Sequence, residues 1–158
     1  MRILVISDTH GNYPLALRAA DMAEPLDAVI HLGDGADDAA LLAQVLEIQV
    51  VQVAGNCDLN PDAPGELLWE CEGKRLLLTH GDRYGVKSGI CRLEQRAVEA
   101  GADVVLFGHT HLPLITTLSG VLFVNPGTLM KSSCRRTCAV LEIGPSGAEA
   151  SLLEIPPL

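Results

Sequence analysis

The sequence predicts an α/β domain in which two β-sheets pack on each other with helices outside. Three observations carry this reading. The first half alternates short apolar runs with amphipathic segments, the later part pairs apolar runs around glycine turns, and Asp, His and Asn residues repeatedly stand directly after apolar runs. Alternating strand and helix patterns mark parallel βαβ units, whereas paired runs around Gly-containing turns mark hairpins.

Ile3 to Ile6 reads as a buried strand, followed by a helical pattern through Leu15, Ala19 and Met22. Asn12 can cap that helix and Pro14 suits its first turn, where a missing backbone N–H costs little. A second run, Ala28 to Leu32, precedes a helix with Leu41, Leu42 and Val45 on its apolar side, and Val50 to Val53 gives a third strand. The segment from Asn60 to Gly65 reads as a loop. Leu67 to Cys71 and Arg75 to Thr79 flank Glu72-Gly73-Lys74, and Ile115 to Leu118 and Val121 to Val124 flank Ser119-Gly120, as two hairpins. A helix with Ile90, Leu93 and Ala97 on one face lies between them. Cys138 to Ile143 and Ala148 to Ile155 form a terminal hairpin around Gly144-Pro145-Ser146-Gly147.

At 158 residues the chain fits one domain spanning residues 1–158, a size that buries roughly 70% of the unfolded chain's surface. Eleven basic against 20 acidic residues leave a formal charge of -9, so affinity for nucleic-acid backbone or anionic membrane would have to come from a local site. Five cysteines without a C-x-x-C pair argue against a secreted disulfide framework and a zinc ribbon and fit a reducing cytoplasm. The amino terminus does not read as a signal peptide, and no apolar stretch reaches membrane-spanning length.

The chemistry lies in five placements. Asp8-Thr9-His10, Gly33-Asp34, Gly55-Asn56, His80-Gly81 and Gly108-His109-Thr110-His111 each follow an apolar run, and the crevice beyond the carboxyl ends of strands is where α/β folds bind ligands. Extended backbone would aim Asp8 with His10, and His109 with His111, the same way. Carboxylate beside imidazole suits a borderline divalent ion, Asp34 has two oxygens with which to bridge ions, and Asn56 adds a neutral oxygen. Glycines beside Asp34, Asn56, His80 and His109 permit tight turns there. His31, inside an apolar run, reads as a core histidine rather than a ligand.

The ordered set Asp8-x-His10, Gly33-Asp34, Gly55-Asn56-x-Asp58, His80-Gly81 and Gly108-His109-x-His111 closely resembles the calcineurin-like metallophosphoesterase superfamily. Asn125-Pro126-Gly127-Thr128 resembles the loop that follows it in small YfcE-like phosphodiesterases. The resemblance implies a four-layer α-β-β-α sandwich of two mixed β-sheets flanked by helices, holding two divalent metal ions. It implies that Asp8, His10 and His111 bind one ion, Asn56, His80 and His109 the other, and that Asp34 bridges them, with a hydroxide between the ions as nucleophile. Asp34, Asn56, Asp58 and His80 are thereby catalytic candidates, Asp58 acting from behind the ligands. Two ions about 3.5–4 Å apart can activate water and clamp phosphoryl oxygens together.

Two departures stand out. Larger members place a histidine after the metal-binding asparagine, where this chain has Cys57, and a thiol of pKa about 8.5 is a weak proton donor at neutral pH. Asp82 follows His80-Gly81 where relatives often carry a second histidine; it is either a turn residue or an acceptor orienting a ligand imidazole. Substrate contacts are sought among Asn12, Cys57, Thr128 and Arg135, with Arg83, Lys87, Lys131 and Arg136 as further cations. Only five aromatics, of which Trp69 and Tyr84 are candidates for base stacking, argue against an extended single-strand platform.

The expected activity is hydrolysis of small phosphodiesters, with phosphomonoester hydrolysis at the same dinuclear site as the nearest alternative and a non-catalytic, retromer-subunit-like scaffold as the second class. The acidic charge speaks against a nuclease. Manganese leads as the metal, with nickel, cobalt, iron and zinc also compatible with this ligand set. The expected partner is the small substrate, with no membrane; a homo-oligomer is compatible with the sequence.

Overall fold

The computed structural model describes residues 1–59 and 61–158; Asn60, where the expected 60–65 loop begins, lies outside the described residues. The predicted βαβαβ half is present: β1 (Arg2–Ile6), α1 (Tyr13–Ala23), β2 (Ala28–His31), α2 (Ala36–Val45) and β3 (Gln49–Gln52), with β1, β2 and β3 parallel. The hairpin β4 (Glu66–Cys71) and β5 (Lys74–Thr79) follows, then α3 (Cys91–Ala100), β6 (Val104–Leu106), the hairpin β7 (Leu114–Leu118) and β8 (Val121–Asn125), and the terminal hairpin β9 (Thr137–Gly144) and β10 (Gly147–Glu154).

The strands form two five-stranded mixed sheets, ordered β10-β9-β1-β2-β3 and β4-β5-β6-β8-β7. Why they stack follows from side-chain alternation within each strand. In β1, Ile3 and Val5 enter the core between the sheets while Leu4 and Ile6 pack toward α1. In β5, Leu76 and Leu78 face the other sheet and Leu77 packs toward α3. Strands buried on both faces therefore read as unbroken apolar runs, and the layers come out as α-β-β-α, as the resemblance implied.

Two of the three short hairpin turns place two residues at positive φ, Glu72 with Gly73 and Ser119 with Gly120, the twist that two-residue hairpin loops favour. Some expectations change. Met22, Leu41 and Val45 are exposed at 43%, 42% and 55%, because the buried stripe of α1 runs through Leu15, Ala16, Ala19, Ala20 and Ala23, and that of α2 through Asp38, Ala39 and Leu42. Asn12 stands at the start of α1 but does not cap it; its amide instead donates to the Leu129 carbonyl at 2.7 Å, tying the helix start to the 125–130 loop.

Candidate metal centre

Strands β1, β2, β3, β5 and β6 end on one rim, and the loops leaving them carry Asp8, Asp34, Asn56, His80 and His109 in turn. The geometry there is not the extended backbone that sequence spacing suggests. Asp8, His10, Asp34, His109 and His111 have φ of 52°, 44°, 55°, 68° and 61°. Asp and His tolerate this left-handed region better than most residues, yet each such position costs of order 1 kcal/mol. Side chains converge here because tight turns fold them over the strand ends, and the surrounding contacts hold those turns in place.

Two groups of ligand-type atoms result, Asp8 with His10 and His111, and Asp34 with His80 and His109, each lying within 4.8 Å. Every carboxylate has one oxygen anchored and one aimed at imidazoles. Asp8 Oδ2 accepts from Ser7 Oγ at 2.6 Å and His109 N at 3.1 Å, while Oδ1 faces His111, His80 and His10 at 3.1, 3.8 and 3.9 Å. Asp34 Oδ1 accepts from Cys57 N at 2.8 Å, and Oδ2 faces His80 at 3.3 Å and His10 at 3.8 Å. Asp34 thus touches both groups. His80 Nδ1 lies 2.8 Å from the Leu32 carbonyl, which can only accept, so this nitrogen carries a proton and Nε2 is turned to the cluster, 3.1 Å from His109 Nδ1.

The electrostatics agree with a cation site. Asp8 and Asp34 are buried, and among the described residues no lysine or arginine pairs with either. Burial raises the Asp34 carboxyl, but His80 and the Cys57 N–H outweigh it and hold it below the usual carboxylate range. Burial likewise opposes a charge on His80, but Asp34 and Asp8 raise its pKa, whereas burial, His80 and Lys87 lower that of His109. Two buried carboxylates facing imidazoles, with a ring nitrogen of His80 against one of His109, form a donor set that divalent ions of the imidazole-and-carboxylate class fit.

Behind the cluster, Asp58 accepts four backbone N–H groups, from Asp34, Gly35, Ala36 and Gly55, at 2.8–3.0 Å. It fastens the β2 loop to the β3 loop and faces the start of α2. His31 is fully buried, its Nδ1 accepting from Gly33 N at 3.1 Å and its Nε2 lying 2.9 Å from Thr9 Oγ1. Thr128, read from sequence as a substrate contact, is buried, and its hydroxyl donates to the Asp8 carbonyl at 2.8 Å; its place is in support of the Asp8 loop. Arg135 is held by Glu154 at 3.2 Å on the β9–β10 hairpin, and Arg136 donates to the Lys131 and Ser133 carbonyls of its own loop. Asp82 is exposed at the start of a 3₁₀ turn. Asn56 is exposed on the rim, its amide nitrogen 3.6 Å from Cys57 Sγ. Partial burial, with Asp34, Asp58 and Asp8, raises the pKa of Cys57.

Sequence reasoning missed Ser7 and Asn125 as supports. Asn125 donates to the Gly108 carbonyl and Thr110 Oγ1, both at 3.0 Å, holding the His109 to His111 turn. A polar residue at the end of an apolar strand, as both are, was the available signal.

Gly55 carries a constraint of its own. A Cβ there would overlap Asp34 Oδ1 and stand 2.5 Å from Asp34 N. Gly55→Ala is therefore expected to displace the Asp34 carboxylate and weaken metal binding about 10–100-fold, the range for lost ligand support, with folding retained; unchanged affinity by metal titration would refute the close-approach argument.

Comparison with known proteins gives one consistent family. Residues 1–145 match the calcineurin-like phosphoesterase superfamily domain. The chain is 38% identical over 138 residues to a probable metallophosphoesterase, YsnB, of Bacillus subtilis, covering 87% of this chain and 80% of that protein. It is 29% identical over 153 residues to the phosphodiesterase YfcE of Escherichia coli, covering 82% and 79%. A crystal structure of a conserved uncharacterized protein, a predicted phosphoesterase, from Streptococcus pneumoniae superposes with a TM-score of 0.82 at 27% identity, covering 99% of this chain and 92% of that one. The chain belongs to the calcineurin-like phosphoesterase superfamily.

Proposed function

We propose that this chain is a divalent-metal-dependent phosphodiesterase acting on small phosphodiesters. The observation that carries the reading is the pair of contiguous ligand groups, Asp8 with His10 and His111 and Asp34 with His80 and His109, in which each carboxylate is pre-anchored by hydrogen bonds. The similarity to a named phosphodiesterase supports the diester class. Asp8, His10 and His111 would hold one ion and Asn56, His80 and His109 a second, with Asp34 shared between them. When bound, the ions supply water activation at neutral pH and positive charge for the phosphoryl oxygens. Asp8 and Asp34 orient that charge, Leu32 and Asp58 fix the ligands' posture, and no side-chain nucleophile is required.

Cys57 is a weak proton donor, so the preferred esters are those whose leaving groups depart without protonation. Cys57→Ala is expected to change the rate on an activated aryl diester less than about tenfold, which is under 1.4 kcal/mol; a hundredfold loss would assign the thiol an essential role. Manganese is the first metal to test. A cytoplasmic setting is supported by five free thiols, and no helix among the described residues is long and apolar enough to cross a membrane.

The decisive experiment strips the protein of metal, restores manganese, nickel, cobalt, iron or zinc in turn, and follows an aryl phosphodiester and an aryl phosphomonoester in parallel. Restored diester turnover exceeding monoester turnover is the expected result. Faster monoester turnover would make the chain a phosphatase, and inertness with every metal would favour a scaffold.

A further inference from the structure

The metal cluster has two unlike flanks. On the His10 side lies a groove of about 290 Å³ bordered by Asp34, Asp37, Asp38 and Asp58, which repels an anionic arm. On the side of the His109–Thr110–His111 turn lies a groove of about 420 Å³, within the roughly 300–1,000 Å³ of small-molecule sites. Thr110, the residue between the two histidines, lines it, and its hydroxyl is already engaged by Asn125 and by the Leu112 N–H at 3.2 Å. Apart from Asn125 and Lys87 the remaining lining is apolar, with Phe107 and Val86 buried and Ile90, Leu112, Pro113 and Leu114 around them. Leu112 and Leu114 leave 70% and 37% of their surface in water, an exposed apolar patch of the kind that marks ligand grooves, joined to the cluster through Thr110 between its two histidines. Lys87 lines the same groove, its charge close enough to bear on His109, and so complements a phosphate anion seated at the cluster.

We infer that this groove is the subsite for one apolar, aromatic-sized arm of the substrate, so that the chain selects monoanionic phosphodiesters carrying one such arm on the His109–His111 side and an uncharged or cationic alcohol on the His10 side. The inference rests on the phosphodiesterase reading for its occupant, and its test is separable from that reading.

The test measures binding rather than turnover. Calorimetric Kd values are taken on the full chain, metal-reconstituted, for the monomethyl esters of methylphosphonic, phenylphosphonic and 1-naphthylphosphonic acid, whose P–C bonds resist hydrolysis and whose one ester bond carries methoxide, too poor a leaving group to depart unprotonated. Affinity is expected to rise about tenfold from methyl to phenyl and further to naphthyl, as burial of that apolar area predicts, with methyl NMR shifts moving at Leu112 and Leu114. In the double variant Leu112→Asn/Leu114→Asn the phenyl-to-methyl ratio is expected to fall below about threefold, and in Leu112→Met to persist. A flat Kd series, or a ratio unchanged in the folded double variant, overturns the subsite. Loss of all ester hydrolysis alongside a steep Kd series would instead strike the proposed activity and leave the groove's selectivity standing.

Discussion

Asp34→Asn is expected to lower kcat on an aryl phosphodiester about a thousandfold or more, equivalent to losing roughly 4 kcal/mol of transition-state stabilisation. The reason is its position. Asp34 Oδ1 is fastened by the Cys57 N–H and Oδ2 lies within 4 Å of both His10 and His80, so it reaches both ligand groups, whereas Asp8 Oδ1, though 3.8 Å from His80, lies closest to His111 of its own group at 3.1 Å. A neutral amide keeps the shape, removes the charge that would balance two cations, and turns an N–H₂ toward either the Cys57 N–H or an imidazole. Metal content by elemental analysis is expected to fall with activity, while Glu99→Gln, an exposed acid on α3, retains both. An Asp34→Asn protein with full metal content and more than about a tenth of the original kcat would sink the shared-ligand role.

The second large effect is on stability and comes from His31. Burial pushes its pKa down to about 4, with Asp38, Asp58 and Asp8 opposing only in part. The unfolded imidazole takes up a proton near its ordinary value of about 6.5, whereas the folded one stays neutral until about pH 4. Stability from this group is therefore complete above pH 6.5 and declines as the pH falls from there through about 4, because the unfolded state binds the proton first. The loss amounts to about 3 kcal/mol, or some 6–12 °C in melting temperature for a domain of this size. His31→Asn retains an oxygen to accept the Gly33 N–H but has no titrating ring, so its melting temperature should fall less steeply between pH 7 and 4.5. Measured with a chelator present, so that metal release adds no slope, equal slopes in the two proteins would show that His31 is not the source.

Much of this molecule is legible without coordinates. The five apolar runs that end in ligand-type residues are local features, and a buried central strand must be apolar on both faces wherever it sits. The two glycine hairpins are equally local, since a two-residue turn with positive φ has few sequence solutions. Which face of a helix is buried proved less legible. Met22, Leu41 and Val45 match an apolar pattern by type, but the alanines of α1 and Ala39 with Leu42 of α2 set the packed stripes, because small side chains let a helix lie close to a sheet and the neighbouring layer decides where it lands.

The same division holds at the site. Sequence by itself determined the residue types of the candidate site, their order and their placement after strands, because metal chemistry constrains the residue types that can serve as ligands and strand ends constrain position. Only the tertiary structure decided how they converge. The side chains meet through left-handed turns rather than extended backbone, and those turns persist because Ser7, Thr128, Asp58 and Asn125 satisfy the backbone and carboxylate groups around them. These contacts join residues up to 120 positions apart. The unlike flanks of the cluster have the same origin, since the apolar groove unites the segment before α3 with the β6–β7 connection, and a surface made from separate segments has no periodicity in either one to reveal it.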